Sequence, residues 1–145
     1  AAGLTLHPEK TRIVDATQRG GFDFLGYHFE RGYQWPRTKS LVKLKDTVRA
    51  KTPRNRGQAL AVIIDDLNRT LRGWFQYFQH SPRRTFVHLD AWVRMRLRSI
   101  LRRRHHWYGR GRGRDHQRWP NAFFAAYGLY SLTTAHAATC QSARR

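Results

Sequence analysis

The sequence is poor in cysteine and has no long apolar segment. Cys140 is the single cysteine among 145 residues, so the chain can build neither a disulfide framework nor a CxxC zinc site. The histidines show none of the spacings typical of metal ligands, and we expect no metal site. No apolar run approaches the roughly 20 residues that span a bilayer, which argues against a membrane protein.

Acidic residues are also scarce. Nine Asp and Glu stand against 28 Lys and Arg, which gives a formal charge of +19, and 23 of the 28 cations are Arg. A charge of this size repels itself unless a polyanion screens it. Nucleic acid is therefore the first partner to expect and an anionic membrane the second. The planar guanidinium group suits phosphates and bases, so the Arg content favours RNA or DNA.

The hydrophobic pattern changes along the chain from that of strands to that of helices. Residues 12–35 carry strand signals: RIVDA, a Gly20–Gly21 turn, FDFLGYHF as one alternating strand, and a turn near Gly32. From residue 39 to about residue 104, apolar side chains recur at helical spacing. The predicted fold is α+β and mainly α, with a small antiparallel sheet followed by a basic helical bundle.

Three helices are predicted from this spacing. Their expected buried positions are Leu41, Leu44 and Val48 on the first; Leu60, Ile63, Ile64, Leu67, Leu71, Trp74, Phe75 and Phe78 on the second; and Phe86, Leu89, Val93, Leu97 and Ile100 on the third. Residues 120–136 are expected to add a fourth helical piece. The segment HHWYGRGRGRDHQRW before it is rich in Gly and Arg, which predicts a mobile surface loop.

The adjacent Asp65 and Asp66 raise the question of a metal-binding catalytic pair. Neighbouring side chains on a helix point about 100° apart and cannot converge on one pair of metal ions. We interpret Asp65 as a solvent-facing residue in contact with Arg69 and Arg72, and Asp66 as a residue on the flank of the helix. The pair is predicted not to be catalytic.

Three residues of the helical region allow further hypotheses. Tyr77 and Trp92 lie off the apolar stripes, which leaves them free either to stack on a base or to pack on the neighbouring sheet. Gly73 has no side chain and is predicted to permit close approach of another helix.

Three motifs occur in order along the chain: LTLHPEKTRIV, FDFLGYHF and DDLNRTLRGWFQYF. Together they resemble the reverse transcriptase and maturase proteins encoded by group II introns. The resemblance implies that residues 1–36 are the end of the reverse transcriptase palm. It implies that residues 37–145 form the thumb, or domain X, the helical domain specific to maturases. By the same resemblance, Lys10 is the palm lysine, and Phe24, Leu25 and Gly26 lie on the strand that grips the primer.

The resemblance also implies what surrounds this chain. The family's catalytic Tyr-x-Asp-Asp hairpin would lie upstream of Ala1, and the chain does not start with methionine. We therefore expect a fragment of a longer RNA-directed DNA polymerase from the bacterial cytoplasm. Mg²⁺ is expected for that full-length polymerase, and no cofactor is expected for the fragment.

The function implied by the resemblance is that of a maturase, which binds the RNA of its group II intron and promotes folding and splicing. In the full-length protein the same region would hold template and primer, so a DNA target or an RNA–DNA hybrid is a further possible partner. A general RNA-binding or ribosome-associated protein, and a gene remnant without function, are the alternatives. The residues expected to bind RNA are Lys39, Lys43, Lys45, Arg49, Arg54, Arg56, Arg69, Arg72, Tyr77, Arg94, Arg98, Arg102, Arg103, Arg104, Arg110, Arg112 and Arg114.

The arrangement of the carboxylates in the sequence gives a prediction about catalysis. Because the 145 residues contain no paired carboxylates on a turn between strands, the purified chain should not extend a primer on any template in the presence of Mg²⁺. Incorporation of a labelled nucleotide measures this. Incorporation that persists after every contaminating polymerase has been removed would contradict the prediction.

Overall fold

A computed structural model describes residues 20–143 of the chain. Three short strands, β1 (Phe22–Phe24), β2 (Tyr27–Glu30) and β3 (Tyr33–Pro36), pair antiparallel in the order β1-β2-β3. The predicted small antiparallel sheet is therefore confirmed. The RIVDA segment and Lys10 lie outside the described residues.

Both connections within the sheet are two-residue turns in the left-handed region. Leu25 and Gly26 have φ values of 51° and 84°, and Arg31 and Gly32 have φ values of 50° and 81°. Two consecutive residues with positive φ are typical of the type I′ turn, whose twist matches a β-hairpin. The prediction that FDFLGYHF is one strand is wrong, because the chain reverses at Leu25. Apolar residues alternate on both sides of the turn, at Phe22 and Phe24 before it and at Tyr27 and Phe29 after it, so the reversal appears in the sequence only as a shift of phase.

The β1–β2 turn is attached to the helical part of the protein. The Gly26 carbonyl accepts hydrogen bonds from the Arg37 backbone N–H and the Ser40 hydroxyl, both at 2.9 Å. The Leu25 carbonyl accepts one from the Tyr77 hydroxyl. A Cβ at position 26 would lie 3.2 Å from the Phe78 ring, so glycine serves both the turn and the close approach of this ring.

Helices make up most of the remaining described chain. In order they are α1 (Thr38–Lys51), α2 (Leu60–Phe78), α3 (Arg83–Arg104), α4 (Asp115–Arg118), α5 (Asn121–Ala126) and α6 (Leu132–Ala143). The start of α3 is marked by Pro82, whose φ of −65° is compatible with the first helical turn. The predicted α+β, mainly α, fold is confirmed.

The hydrophobic core lies between the apolar stripes of the helices. Burial of each large apolar side chain contributes about 1.5 to 3 kcal/mol to stability. The predicted stripes are confirmed, except that Leu41 and Trp74 are only half-buried against the core. The core residues are Leu44, Val48, Leu60, Ile63, Ile64, Leu67, Leu71, Phe75, Phe86, Leu89, Val93, Leu97, Ile100, Leu101, Trp119, Phe124 and Leu132.

Residues 120–136 do not form the single helical piece that was predicted. The helix α5 ends in a Schellman motif, in which Gly128 donates its N–H to the Ala125 carbonyl at 2.9 Å and Leu129 donates to the Phe124 carbonyl at 3.1 Å. Gly128 has a φ of 83°, which glycine adopts without strain. The chain turns at this glycine, and α6 begins as a separate helix.

A buried carboxylate fastens α6 to α3. Asp90 is 5% exposed and accepts hydrogen bonds from the backbone N–H groups of Leu132 and Thr133, both at 3.0 Å. The hydroxyls of Ser131 and Thr133 donate to the same carboxylate at 3.1 and 2.7 Å. These donors satisfy the buried charge and cap the start of α6 from a different helix.

The segment from residue 105 to residue 114 packs against α3. Gly111 donates its N–H to the Ser99 hydroxyl at 3.1 Å, and Arg102 donates Nε and Nη2 to the Tyr108 carbonyl at 3.2 and 2.6 Å. The predicted surface position is confirmed, since nearly all of these residues are exposed, and the hydrogen bonds anchor the segment on α3. The polar groups of this segment find their partners on α3, and no local pattern reveals such partners.

Two glycines provide a test of this packing. At Gly111 an added Cβ would lie 2.2 Å from the Arg98 Cβ, whereas at Gly73 in α2 no neighbouring atom lies within 4 Å. The prediction that Gly73 permits close helix approach is therefore wrong.

We expect Gly111→Ala to lower the free energy of unfolding by about 1 to 3 kcal/mol or more through overpacking. Gly73→Ala, the control, should leave it unchanged or raise it by up to about 1 kcal/mol because Ala favours helix. Urea denaturation measures both, and equal effects would contradict the packing described here.

Candidate nucleic-acid interface

Positive charge is concentrated in the helical part of the protein. Between Trp35 and Asp115, 21 Arg or Lys residues stand against four Asp. Of the acidic side chains, Asp90 and Asp115 are buried within the fold. The surface is consequently left with an excess of cations.

A groove between α1, α2 and the β1–β2 turn collects several of these cations. It has a volume of about 690 Å³, and the residues that line it include four cations and no carboxylate. Leu44, Trp74 and Phe78 contribute its apolar surface. We call it the α1–α2 groove, and its cations are Arg37, Lys39, Lys43 and Arg69.

Two donors in the wall of the α1–α2 groove lack a partner among the described residues. They are the Nε of Arg37 and the indole Nε1 of Trp74, both removed from solvent. Buried donors are normally satisfied, and a bridging water is the ordinary partner of such a group. Phosphate oxygens are acceptors alone, and they match a groove lined by donors.

The residues predicted to bind RNA are divided among several environments. Lys39, Lys43 and Arg69 lie together in the α1–α2 groove, and Tyr77 lies at its edge beside the β1–β2 turn. The other exposed arginines of the predicted set are Arg49, Arg54, Arg72, Arg103, Arg104, Arg110, Arg112 and Arg114. Of these, Arg72 places its guanidinium 5.3 Å from the centre of the Tyr130 ring.

Trp92 is surrounded by cations. The ammonium of Lys45 and the guanidinium of Arg49 each lie 5.4 Å from the centre of its ring, and Arg96 lies at 6.0 Å. Lys45 and Arg49 therefore have a role in packing α1 against α3 as well as a charge to offer. Arg96 also donates to the Thr52 carbonyl at 2.8 Å.

Tyr77 packs on the sheet. Its ring centre lies 6.1 Å from that of Tyr27 with a tilt of 23°, and its hydroxyl bonds the Leu25 carbonyl. The open hypothesis for Tyr77 is thereby decided in favour of sheet packing, although 53% of the residue remains exposed.

The four-residue spacing of Arg94, Arg98 and Arg102 predicted one shared exposed face. In the structure these residues do not share such a face. Arg98 is 1% exposed and donates Nε to the Trp119 carbonyl at 2.9 Å and Nη2 to the Asn121 side chain at 3.0 Å. Burial lowers the pKa of Arg98, and repulsion by Arg94 adds to this. The guanidinium still stays charged at neutral pH. Its assignment as an RNA-binding residue is corrected, because the chain after α3 folds back over it.

Three other predicted RNA-binding residues hold parts of the fold together. Arg102 pairs with the buried Asp115 at 2.9 Å, and Arg56 pairs with Asp66 at 3.2 Å. Arg104 donates to the carbonyls of residues 56 and 58, the former at 3.2 Å. Each salt bridge or backbone contact of this kind reduces the number of guanidinium N–H groups that are left to bind a ligand.

Of the three residues expected on the strand that grips the primer, Phe24 ends β1, whereas Leu25 and Gly26 form the turn that follows. Phe24 and Leu25 are 56% and 66% exposed, and Gly26 lines the α1–α2 groove. The expected position on a strand is therefore confirmed for Phe24 and corrected for Leu25 and Gly26, which form the hairpin reversal. Their closeness to the α1–α2 groove depends on the contacts of the turn with α1 and α2.

Asp65 and Asp66 point in different directions. Asp66 accepts from Lys51 Nζ at 3.0 Å and from Arg56 Nη1 at 3.2 Å. Its hydrogen bond from Lys51 lowers the pKa of the carboxyl, with Arg56 adding to the effect. Asp65 is exposed and, within the described residues, has no ion pair, so the expected contacts with neighbouring arginines of α2 are absent.

Two further properties concern residues 20–143. No three His, Cys, Asp or Glu side chains in this range are grouped so that they could hold a metal ion. None of the helices in this range is both long and apolar enough to cross a bilayer.

The sequence matches a known family over residues 41–119, which is more than half of the chain. The family is described as group II intron, maturase-specific domain. The chain belongs to this family. The matched region of the maturase domain begins within α1 and ends just after α4, so it includes Lys43 and Arg69 of the α1–α2 groove, while Arg37 and Lys39 lie before it. No curated protein sequence matches the chain. A maturase domain of group II introns implies an intron RNA as its partner.

Sequence reasoning missed residues that the fold brings to the maturase domain's surface. Arg37 lines the α1–α2 groove, and its position directly before the start of α1 is a signal that could have found it. Trp107 and Tyr108 are exposed aromatic residues within an arginine-rich segment. Aromatics interleaved with cations are typical of nucleic-acid contacts.

The ion pairs of Asp66 give a prediction about pH. Its lowered pKa means that its stabilising effect is present above the unfolded-state pKa, about 3.9, and is lost as pH falls through the lower folded-state pKa. Because the side chain is partly exposed, Asp66→Asn should lower the free energy of unfolding by up to about 1 kcal/mol at pH 7. The difference from wild type should vanish in acid. Denaturation at several pH values measures it, with Asp65→Asn as the silent control. A difference that does not depend on pH would contradict the assignment.

Proposed function

We propose that this maturase domain binds the RNA of a group II intron through the α1–α2 groove and promotes the folding and splicing of that RNA. The observation that carries the proposal is the groove wall, which includes four cations and no carboxylate. A wall of one sign favours a polyanion over a protein surface of mixed charge.

Counterion release supplies the affinity. A large RNA can fold only if distant phosphates come together, and their repulsion opposes this. Cations fixed on a helical frame neutralise phosphates while the released counterions gain entropy. Because α1 and α2 share a buried core, the groove cations Lys43 and Arg69 are held on a rigid support. A rigid support lowers the conformational entropy lost on binding.

A longer protein would use the same surface for more than splicing. We infer that the exposed β1–β2 turn would face a primer strand beside the α1–α2 groove. A DNA target or an RNA–DNA hybrid would then replace the intron RNA during reverse transcription. The Mg²⁺ for that reaction would need carboxylates beyond those of residues 20–143, which offer no suitable group of ligands. The cytoplasm of a bacterium is the compartment that fits this function.

Two matched arginines test the groove. Arg69 and Arg84 are both exposed on helices, and only Arg69 lines the α1–α2 groove. Arg69→Ala should weaken binding to a structured group II intron RNA and reduce the log–log salt slope by about 1, the effect of one lost phosphate contact. Arg84→Ala should change neither quantity. Titration at several salt concentrations measures both.

Bulk RNA of the same length serves as the reference ligand in these titrations. Equal affinity for intron RNA and bulk RNA would replace the maturase proposal with general RNA binding. A salt dependence close to zero, or equal effects of Arg69→Ala and Arg84→Ala, would refute the role of the groove.

A further inference from the structure

A cluster of aromatic and basic side chains follows the end of α3, outside the α1–α2 groove. The rings of His105 and Trp107 stack with their centres 4.9 Å apart and a tilt of 21°. The guanidinium of Arg118 lies 4.3 Å from the centre of the Trp107 ring, and Trp119 lies at 6.3 Å. We call these four residues, His105, Trp107, Arg118 and Trp119, the Trp107 cluster.

Tyr108 projects from this cluster into solvent. It is 92% exposed, the highest value among the large exposed apolar side chains of the described chain. Among residues 20–143, its ring has no aromatic or cationic partner, and only its backbone carbonyl is engaged. The ring therefore contributes nothing visible to the fold, and a large aromatic surface is left for a ligand.

The backbone beneath this ring is fixed. Arg102 donates two hydrogen bonds to the Tyr108 carbonyl. The same guanidinium forms an ion pair with the fully buried Asp115 at 2.9 Å. The Trp107 N–H donates to the Arg102 carbonyl at 3.0 Å, and Gly111 is anchored on Ser99. A ring presented from a fixed backbone loses little entropy when it is covered.

The exposed charge of the segment that carries this ring has one sign. Arginines at positions 103, 110, 112 and 114 are exposed, while the acidic residue of this segment, Asp115, is buried and paired. An exposed aromatic ring beside unpaired cations is the arrangement that binds single-stranded nucleic acid, in which the base stacks and the phosphates pair. A duplex keeps its bases stacked inside and offers such a ring no partner.

We propose that Tyr108 is a stacking site for an unpaired base of RNA, with the surrounding arginines binding the phosphates on either side. The site rests on the proposed RNA-binding function and adds a preference for loops or bulges over duplex. Stacking depends on the face of the base, so the site tolerates any base.

The test compares two RNAs with the full chain. One is a hairpin with a loop of uridines, and the other is a blunt duplex with the same number of phosphates. Tyr108→Ala should weaken binding to the hairpin by about fivefold to a hundredfold, the range for the loss of one stacked base, and leave duplex binding unchanged. Tyr108→Phe should bind as wild type, while Tyr108→Leu, which keeps bulk without a π face, should bind as Tyr108→Ala.

Tyr33→Ala is the matched control, because Tyr33 is 70% exposed at the start of β3. It should leave hairpin binding unchanged. A hairpin with abasic loop positions completes the cycle. Wild type should bind this hairpin more weakly than the uridine hairpin, whereas Tyr108→Ala should bind the two hairpins equally. Thermal melting should give the same midpoint for every variant, since both rings are exposed.

An unchanged hairpin affinity for Tyr108→Ala, or equal losses on hairpin and duplex, would overturn the stacking site. The Arg69→Ala effect and the preference for intron RNA would survive that result, so the proposed function would stand. Absence of binding to every RNA would overturn both.

Discussion

The shortage of acidic residues is the constraint on which this structure depends. With nine Asp and Glu against 28 Lys and Arg, most cations have no carboxylate to pair with. The protein nevertheless places acidic side chains inside. Asp90 caps α6, and Asp115 is buried between Arg102 and Arg118. A buried carboxylate must be satisfied by donors, so each one joins segments that are distant in sequence. The burial of these two carboxylates increases the excess of cations on the outer surface.

This division of charge lets one small domain both fold and attract a polyanion. The cohesion comes from the apolar core of α1, α2 and α3 and from a few internal ion pairs. The mutual repulsion of the cations acts at the surface of the protein, where a bound nucleic acid would screen it. The two surfaces proposed to meet RNA differ in chemistry. The α1–α2 groove offers cations for phosphates, which favour affinity, whereas Tyr108 offers a ring for an unpaired base, which favours a particular shape of RNA.

The candidate site could be predicted only in part. Helical periodicity correctly indicated that Arg69 and Arg72 face away from the buried stripe of α2. The same reasoning failed for Arg98, because it lies beside the stripe of α3, and a residue in that position is buried or exposed according to what covers it. The chain between residues 105 and 121 folds back and supplies that cover. Tyr77 presented the same ambiguity, which the β1–β2 turn resolves.

The sequence by itself determined the helices, their apolar stripes, the presence of a small sheet and the sign of the surface charge. These features depend on neighbouring residues, through periodicity, turn chemistry and composition. Only the tertiary structure decided that the chain reverses at Leu25, that an arginine of α3 is buried, and that the arginine-rich segment is fixed with Tyr108 exposed. Each of these depends on partners far along the chain, such as Gly111 with Ser99 or Leu132 with Asp90. A local sequence pattern does not predict such partners, because the energy of a buried polar group is set by the atoms that surround it in space.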